Sequence, residues 1–442
     1  MSKKPVIAIG LVGLGVVGQG VWKHIQRNRQ ALERRFGVKL DLRKAAVRDL
    51  DKKRSVKVHR SLLTDDPFSV VRDDEIDIVC ELLGGTSLAK QVTLEALARG
   101  KIVVSANKAL ICEHGNELLK AMKEGGGRLY FEASVAGGIP IIKVIREGLV
   151  ANRFARIYGI LNGTCNYILT RMEREGLTFK DTVDDARRLG YVEADDSLDL
   201  DGWDTAHKAV ILAYLAYGRW VSLKQVPVEG IRQVTLEDIK MAKDLGYRIK
   251  LLGIITFDVA NKRILVRVHP SLVSKERVLA NVNEVYNGIS VTGDVVGTTL
   301  HIGRGAGQDA TASAVISDIT DAVAALTTRN GSRSIVAGHD SLSQAEIGVE
   351  LTELSEVLGE YYIRLLVDDR PGVLAEVANE MAQHGVSISS VIQPKGANNS
   401  ATLILTTHTS NEWSMLQVVK DLEMLKCVKR KPFLLRIIDF ED

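Results

Sequence analysis

The chain has 442 residues, of which 26% are charged, and a net charge of +3. The length points to about three domains with room for large cores. The near-balance of charge implies no polyanionic partner, so no nucleic-acid binding is expected. The four cysteines, Cys80, Cys112, Cys165 and Cys427, lack metal-ligand spacing. They read as free thiols of a reducing, cytoplasmic compartment.

Ser2-Lys3-Lys4 followed by an apolar run over 6–17 has the outline of a signal peptide. The run is broken by Gly10, Gly13 and Gly15, and no small-residue cleavage site follows, so a first strand and glycine turn fit better. No apolar run is long enough to span a membrane. Residues 5–12 read as a buried parallel strand. Gly13-Leu14-Gly15-Val16-Val17-Gly18 then forms a GxGxxG that opens a helix to about residue 36. Such glycines permit a tight turn, close approach to a pyrophosphate and close helix–strand packing, and the strand before and helix after supply the confirming context.

A second strand over 40–47 ends in Arg48-Asp49-Leu50-Asp51-Lys52-Lys53-Arg54. Arg48 with the nearby lysines favours a ribose 2′-phosphate, hence NADP(H), while Asp49 keeps NAD(H) open. A solvated charged loop is the competing reading. Residues 76–83 form a third strand, closed by Gly84-Gly85-Thr86-Ser87. Thr86 and its backbone neighbours can contact cofactor there, and Ser87 suits an N-cap for the helix to 99. The next strand, 101–106, carries Ser105 and runs into Asn107-Lys108. Ser105 and Lys108 join the cofactor contacts, since ligands bind at the carboxyl ends of such strands. A further strand is expected over 128–134, with Glu132 inside it. That carboxylate and the carbonyls of the following turn can hold a hard cation, although a hydrogen-bonded or solvated carboxylate is commoner.

Residues 156–161 read as a strand, and Asn162-Gly163-Thr164 as a turn and N-cap before a helix over 166–175. A helix over 179–189 ends at Gly190, a C′ residue. The stretch from Gly190 to Lys208 then places six acids, Glu193, Asp195, Asp196, Asp199, Asp201 and Asp204, ahead of one lysine. Asp204 and Lys208 are four apart and share a helical face that continues through Ile211, Leu212 and Leu215. Burial and the positive end of a helix dipole both ease proton release from such a lysine. An exposed i,i+4 ion pair is the alternative. Strands at 250–258, 263–269, 289–292 and 298–302 complete an α+β domain. The glycine-rich loop His301 to Gly307 precedes a helix over 311–326 and can return the chain to the cofactor.

Residues 330–360 mix Gly, Ser and Glu and read as a linker. From 361 the order is βαββαβ, which is ferredoxin-like. Pro371 suits the first turn of the first helix. A small-regulator site is expected at the strand–helix turn, with Asp369, Gly372, Val373 and Leu374; a purely structural appendage is the alternative.

The motifs GLVGLGVVG, VRDLDKKR, SANKAL, FEASVAGGIPII, GILNGTCNYIL, LGYVEADDSLDLDGWDTAHK, GRGAG and DDRPGVLAEVA span nearly the whole chain. In them the chain resembles homoserine dehydrogenase with a C-terminal ACT domain. The resemblance implies an α/β protein with three parts. These are a Rossmann-type dinucleotide-binding domain (1–138, with a return helix at 305–328), a catalytic domain (139–304) and an ACT regulatory domain (361–442). It implies NAD(P)-dependent interconversion of L-homoserine and L-aspartate 4-semialdehyde in threonine and methionine biosynthesis. Lys208 would be the proton donor, with Lys108 near nicotinamide and substrate. Glu193, Asp199 and Asp204 would bind substrate, and Gly190 and Gly307 would contact cofactor. Glu132 with the carbonyls of Val135, Gly137 and Ile139 would form a sodium site. The ACT domain would sense threonine, and the assembly would be a homodimer or homotetramer. The chain departs from the family at Asp196 and Ala310, where proline is usual. An acyl-phosphate-forming semialdehyde dehydrogenase would need a nucleophilic cysteine, for which Cys80 and Cys112 are poor candidates. An inactive amino-acid sensor with a vestigial nucleotide fold is the alternative from another class.

Overall fold

The computed structural model describes residues 4–192, 195–327, 349–394 and 399–438. Glu193 and much of the stretch read as a linker therefore lie outside the described residues. The chain divides into two compact units. One spans 1–154, 206–226 and 285–347, and the other spans 155–205, 227–284 and 348–442.

The first unit is built on six parallel strands: β1 (Val6–Val12), β2 (Lys39–Ala46), β3 (Leu63–Thr64), β4 (Ile78–Glu81), β5 (Ile102–Ser105) and β6 (Arg128–Tyr130). Their spatial order is β3-β2-β1-β4-β5-β6. All five neighbouring pairs are parallel. Helices cover both faces of such a sheet, which is why the β1 residues after Val6 are apolar or glycine and all buried. The order reverses between β1 and β4, and the carboxyl ends of strands open a ligand crevice at such a switch point. Helix Gln308–Thr327 returns to this unit and packs on helix Val16–Phe36. They meet closely at Gly20, where a Cβ would fall 2.9 Å from Gln308 and 3.0 Å from Ala312.

Two local expectations fail in this unit. Thr86 precedes the helix Ser87–Ala98, so Ser87 is its first residue and not its cap. The strand expected over 128–134 stops at Tyr130, and Glu132–Ser134 is a 3-10 turn. The Glu132 N–H donates to the Asp318 carboxylate at 2.8 Å instead of to a neighbouring strand.

In the second unit seven strands follow one another across a sheet: Phe154–Ile160, Tyr247–Asp258, Arg263–Ser274, Phe433–Ile438, Leu358–Asp368, Ser400–Thr407 and Ile388–Ile392. The last four, with helices Val373–Gln383 and Glu412–Met424, make the expected βαββαβ tail. The tail is not a tethered appendage. Its final strand pairs in parallel with Arg263–Ser274, Arg436 opposite Ser271 and Ile438 opposite Val273. Residues 349–360 also carry structure in place of a linker. Glu350–Leu351 pairs with Arg263 and Ile264, and the first tail strand begins at Leu358. Pro371 lies in the turn before the helix, because Gly372, at φ 94°, holds the left-handed bend that starts it.

A buried charge cluster ties the tail to that sheet. Glu412 accepts from Tyr361 at 3.0 Å, Arg267 at 3.1 Å and Arg436 at 3.0 Å. Arg436 also reaches Glu229 at 2.6 Å. Among the described residues no helix is long and apolar enough to cross a membrane.

Candidate active site

The glycine loop has three distinct local geometries. Gly13 has φ 108°, and a Cβ there would fall 2.5 Å from the Leu82 carbonyl oxygen. A Cβ on Gly18 would collide with the Gly13 carbonyl. Gly15 has nothing within 4 Å of its Cβ position, so the space over it is open. These are the needs of a tight turn, of close helix packing and of close approach by a ligand. Leu14 is buried, Val16 is exposed and Val17 is half-buried, so the loop's side chains do not close the space over Gly15. Helix Val16–Phe36 has no side-chain cap, which leaves its first N–H groups available to an anion. Gly307, at φ 114°, adjoins this turn, because the Gln308 amide next to it donates to the Val16 carbonyl at 2.9 Å.

The loop after β2 separates its two charged candidates. Asp49 turns its carboxylate onto the Asp51 and Lys52 N–H groups at 2.9 and 3.1 Å. Arg48 is exposed. Gln19 pins the loop by accepting from the Ser55 N–H at 2.7 Å.

Lys108 is placed by a buried relay that the sequence did not reveal. Ser105 is fully buried, and its hydroxyl donates to Glu81 at 2.6 Å and accepts from the Asn107 N–H at 3.1 Å. Its proton is thereby committed inside the fold. Glu81 is fully buried, and burial pushes its carboxyl above the usual range. The Asn107 side chain donates to the Gly85 carbonyl at 2.7 Å and caps helix Lys108–Gly125 by accepting from Leu110 at 3.1 Å. Lys108, half-buried, is therefore the first residue of a capped helix at the carboxyl end of β5. Thr86 is half-buried beside Gly85, which holds φ 77°.

Glu132 caps a helix start. Its two carboxylate oxygens accept from the Ile142 and Lys143 N–H groups, both at 2.9 Å. Burial pushes its carboxyl up to about 7, against the pull of those two donors and of Lys143 and Arg146. The chain then folds back through Val135, Ala136 (φ 52°) and Gly137 (φ 35°) to Ile139. Gly138 donates to the Arg304 carbonyl at 2.9 Å, and a Cβ on Gly137 would come within 2.7 Å of the Gly305 carbonyl. The GRGAG loop thus packs directly on this turn.

The acidic stretch divides by role. Asn162, buried, donates to Asp199 at 2.7 Å and to Asp204 at 2.9 Å. Its oxygen accepts from the Cys165 N–H at 2.8 Å and so caps helix Gly163–Glu175. The cap was legible in the sequence, but the link to acids 37 and 42 residues away was not. Asp204 is buried in the first turn of helix Trp203–Tyr217, and Lys208, 8% exposed, lies one turn on. The five residues after it, Ala209 to Ala213, are fully buried. The lysine therefore heads a buried row, and the exposed ion pair is not what forms. Asp196 is paired with both Arg187 and Arg232, and Asp201 with Arg232, so the charge at the unusual Asp196 is compensated. Asp195 caps the Ser197 N–H at 3.1 Å. Gly190 has φ 77° just past helix Phe179–Arg188, as a C′ glycine should. Ala310 is in the first turn of helix Gln308–Thr327, a place that also tolerates proline.

In the tail, the expected effector turn is exposed at Asp369, Gly372 and Leu374, while Val373 is buried. Gly372 has open space at its Cβ position.

Comparison with known proteins gives three family-model matches along the chain. The family model described as Homoserine dehydrogenase, NAD binding domain, matches residues 13–132; Homoserine dehydrogenase matches 140–320; ACT domain matches 361–411. A homoserine dehydrogenase of Neisseria gonorrhoeae is 40% identical over 443 residues, covering 99% of this chain and 100% of that protein. One from Helicobacter pylori is 41% identical, covering 98% and 99%. The crystal structure of a homoserine dehydrogenase from Thiobacillus denitrificans superposes with a TM-score of 0.91 at 40% identity, over 99% of this chain and 100% of that one. A hyperthermophilic archaeal homoserine dehydrogenase in complex with NADPH gives a TM-score of 0.61 at 27% identity, over 74% and 99%. Similarity of this extent means that the chain belongs to the homoserine dehydrogenase family, in its form with a C-terminal ACT domain.

Proposed function

We propose that the chain interconverts L-homoserine and L-aspartate 4-semialdehyde in threonine and methionine biosynthesis, with NADP(H) preferred over NAD(H). The observation that carries this is helix Trp203–Tyr217, on which Asp204 and the buried Lys208 share one face. Asp204 and Asp199, held by one amide, suit an ammonium group on the substrate. Glu193, outside the described residues, is the third proposed ligand. When bound, the nicotinamide cofactor supplies the hydride that reduces the aldehyde carbon. Lys208 stabilises charge on the carbonyl oxygen and gives it a proton, and Lys108 assists. In the reverse direction Lys208 takes the hydroxyl proton of homoserine. The open space over Gly15, the uncapped start of helix Val16–Phe36 and Gly307 beside it fit a pyrophosphate. Gly190 and Thr86 are proposed as further contacts.

Preference for a 2′-phosphate is supported by the exposed Arg48 next to an Asp49 whose carboxylate is already engaged by its own turn. A sodium ion held by Glu132 and the carbonyls of Val135, Gly137 and Ile139 fits a buried carboxylate that two N–H donors leave raised toward neutrality. Threonine is the proposed effector, at the exposed turn Asp369 to Leu374.

Initial-rate kinetics with homoserine and each cofactor, with and without threonine, test the reading. Turnover should be seen with a higher kcat/KM for NADP, and Arg48→Ala should erase that difference. Folded protein that turns over neither cofactor would sink the enzyme reading in favour of an inactive sensor.

A further inference from the structure

We infer that Glu380, His384 and Asp421 form a binding site for one divalent transition-metal ion in the ACT domain. Glu380 lies in the last turn of helix Val373–Gln383, and His384 follows that helix directly. Asp421 comes from helix Glu412–Met424. The imidazole Nε2 lies 2.8 Å from Asp421 Oδ2 and 3.7 Å from Glu380 Oε1. One ligand atom from each of the three residues falls within 4.8 Å of the others. A tetrahedral zinc with bonds of about 2.0 Å needs ligand atoms about 3.3 Å apart, and the two histidine distances bracket that value. Side-chain rotation has to bring all three pairs to that spacing.

The charges also fall short without an ion. Both carboxylates face the same imidazole nitrogen. A neutral imidazole has one N–H and can serve only one of them; a protonated one sets a single positive charge against two negative ones. A divalent ion balances both carboxylates and accepts the imidazole lone pair, with solvent completing its shell. One nitrogen and two oxygens suit zinc, cobalt or nickel better than magnesium or calcium, which favour all-oxygen sites. A bound ion would fasten the two helices of the ACT domain together. Helix Val373–Gln383 is about 16 Å long, so the site lies at the far end from the proposed effector turn. Nothing in the proposed reaction uses these three residues, so this inference stands or falls apart from that reading.

The test uses full-length, untagged protein stripped with a chelator. Zinc is titrated by calorimetry and cobalt by its visible absorption, in the wild type, His384→Asn and the double variant Glu380→Gln, Asp421→Asn. One ion per chain is expected in the wild type, with an affinity at least tenfold lower in each variant. Zinc should raise the wild-type Tm, and at the same concentration raise that of the variants less. Circular dichroism confirms that the variants are folded. Absence of saturable binding in the wild type, or equal binding in His384→Asn, as adventitious binding to thiols would give, overturns the inference.

Discussion

The amide of Asn162 donates to the carboxylate of Asp204 at 2.9 Å, and its second proton goes to Asp199 at 2.7 Å. Two carboxylates brought onto one nitrogen repel each other, and the shared donor offsets part of that repulsion and aligns them. Each hydrogen bond to a charged group contributes about 1.5–3 kcal/mol. Asn162→Leu should therefore raise KM for homoserine by about 10–100-fold, by the same free energy. Cofactor Kd should not move. Asn162→Asp should be worse, because it adds a third negative charge where a donor stood. Steady-state kinetics and cofactor titration on both variants decide this, and an unchanged KM would show that the acids do not need the bridge.

Gly15 and Gly18 should answer differently to the same substitution. A methyl group on Gly15 meets no protein atom within 4 Å, and the backbone there is extended at φ −77°, which alanine adopts freely. Gly15→Ala should keep the wild-type Tm while weakening cofactor binding at least tenfold. A methyl group on Gly18 runs into the Gly13 carbonyl, so Gly18→Ala should lower Tm as well. Thermal melts beside cofactor titrations separate the two effects. Equal cofactor affinity in Gly15→Ala and wild type would place the pyrophosphate elsewhere.

Glu412 is a stability residue whose role depends on pH. Burial works to raise its pKa, but Arg436, Arg267 and the Tyr361 hydroxyl together outweigh it and hold the carboxyl below its ordinary value. A depressed folded pKa contributes stability above the unfolded value of about 4.3, and that contribution is lost as pH falls through the folded value. Glu412→Ala leaves Arg267 and Arg436 buried without their shared partner, which should cost about 3–5 kcal/mol at pH 7. Urea melts at pH 7 and at pH 4 or below check it. The gap between variant and wild type should narrow at the acid end, and a gap independent of pH would deny the ion-pair role.

Much of this was legible in the sequence where the signal is local. The glycine loop, the βαββαβ tail and the buried row behind Lys208 follow from periodicity and turn chemistry, both of which act over a few residues. The relay from Glu81 through Ser105 to Asn107 was not legible. It joins the ends of two neighbouring strands, and Glu81 alone looks like an acid misplaced in an apolar run. The Glu132 segment misled because a largely apolar run suggested a longer strand, whereas Asp318, 186 residues away, takes its N–H. The docking of the tail rests on Arg436 facing Ser271, a pairing that no local pattern encodes. Asp196 is similar, since its partners Arg187 and Arg232 lie 9 and 36 residues away.

Lys208 carries the most demanding expectation. It is 8% exposed and is followed by five fully buried residues, so it sits at the head of a buried row. Loss of a positioned general acid typically costs 10²–10⁴-fold in rate, and Lys208→Ala should lower kcat by about that factor. Lys208→Arg separates proton transfer from charge alone. A guanidinium keeps the positive charge but does not release a proton at working pH. If proton donation is the role, Lys208→Arg should bind cofactor normally and remain nearly as slow as the alanine variant. If charge stabilisation is enough, it should recover most of the rate. Lys108→Arg provides the contrast and should lose less, because Lys108 assists without supplying the proton. Rapid-mixing measurement of reduced-cofactor absorbance, with cofactor affinity measured separately, distinguishes these outcomes. Near-normal turnover in Lys208→Ala would remove the lysine from the chemistry altogether.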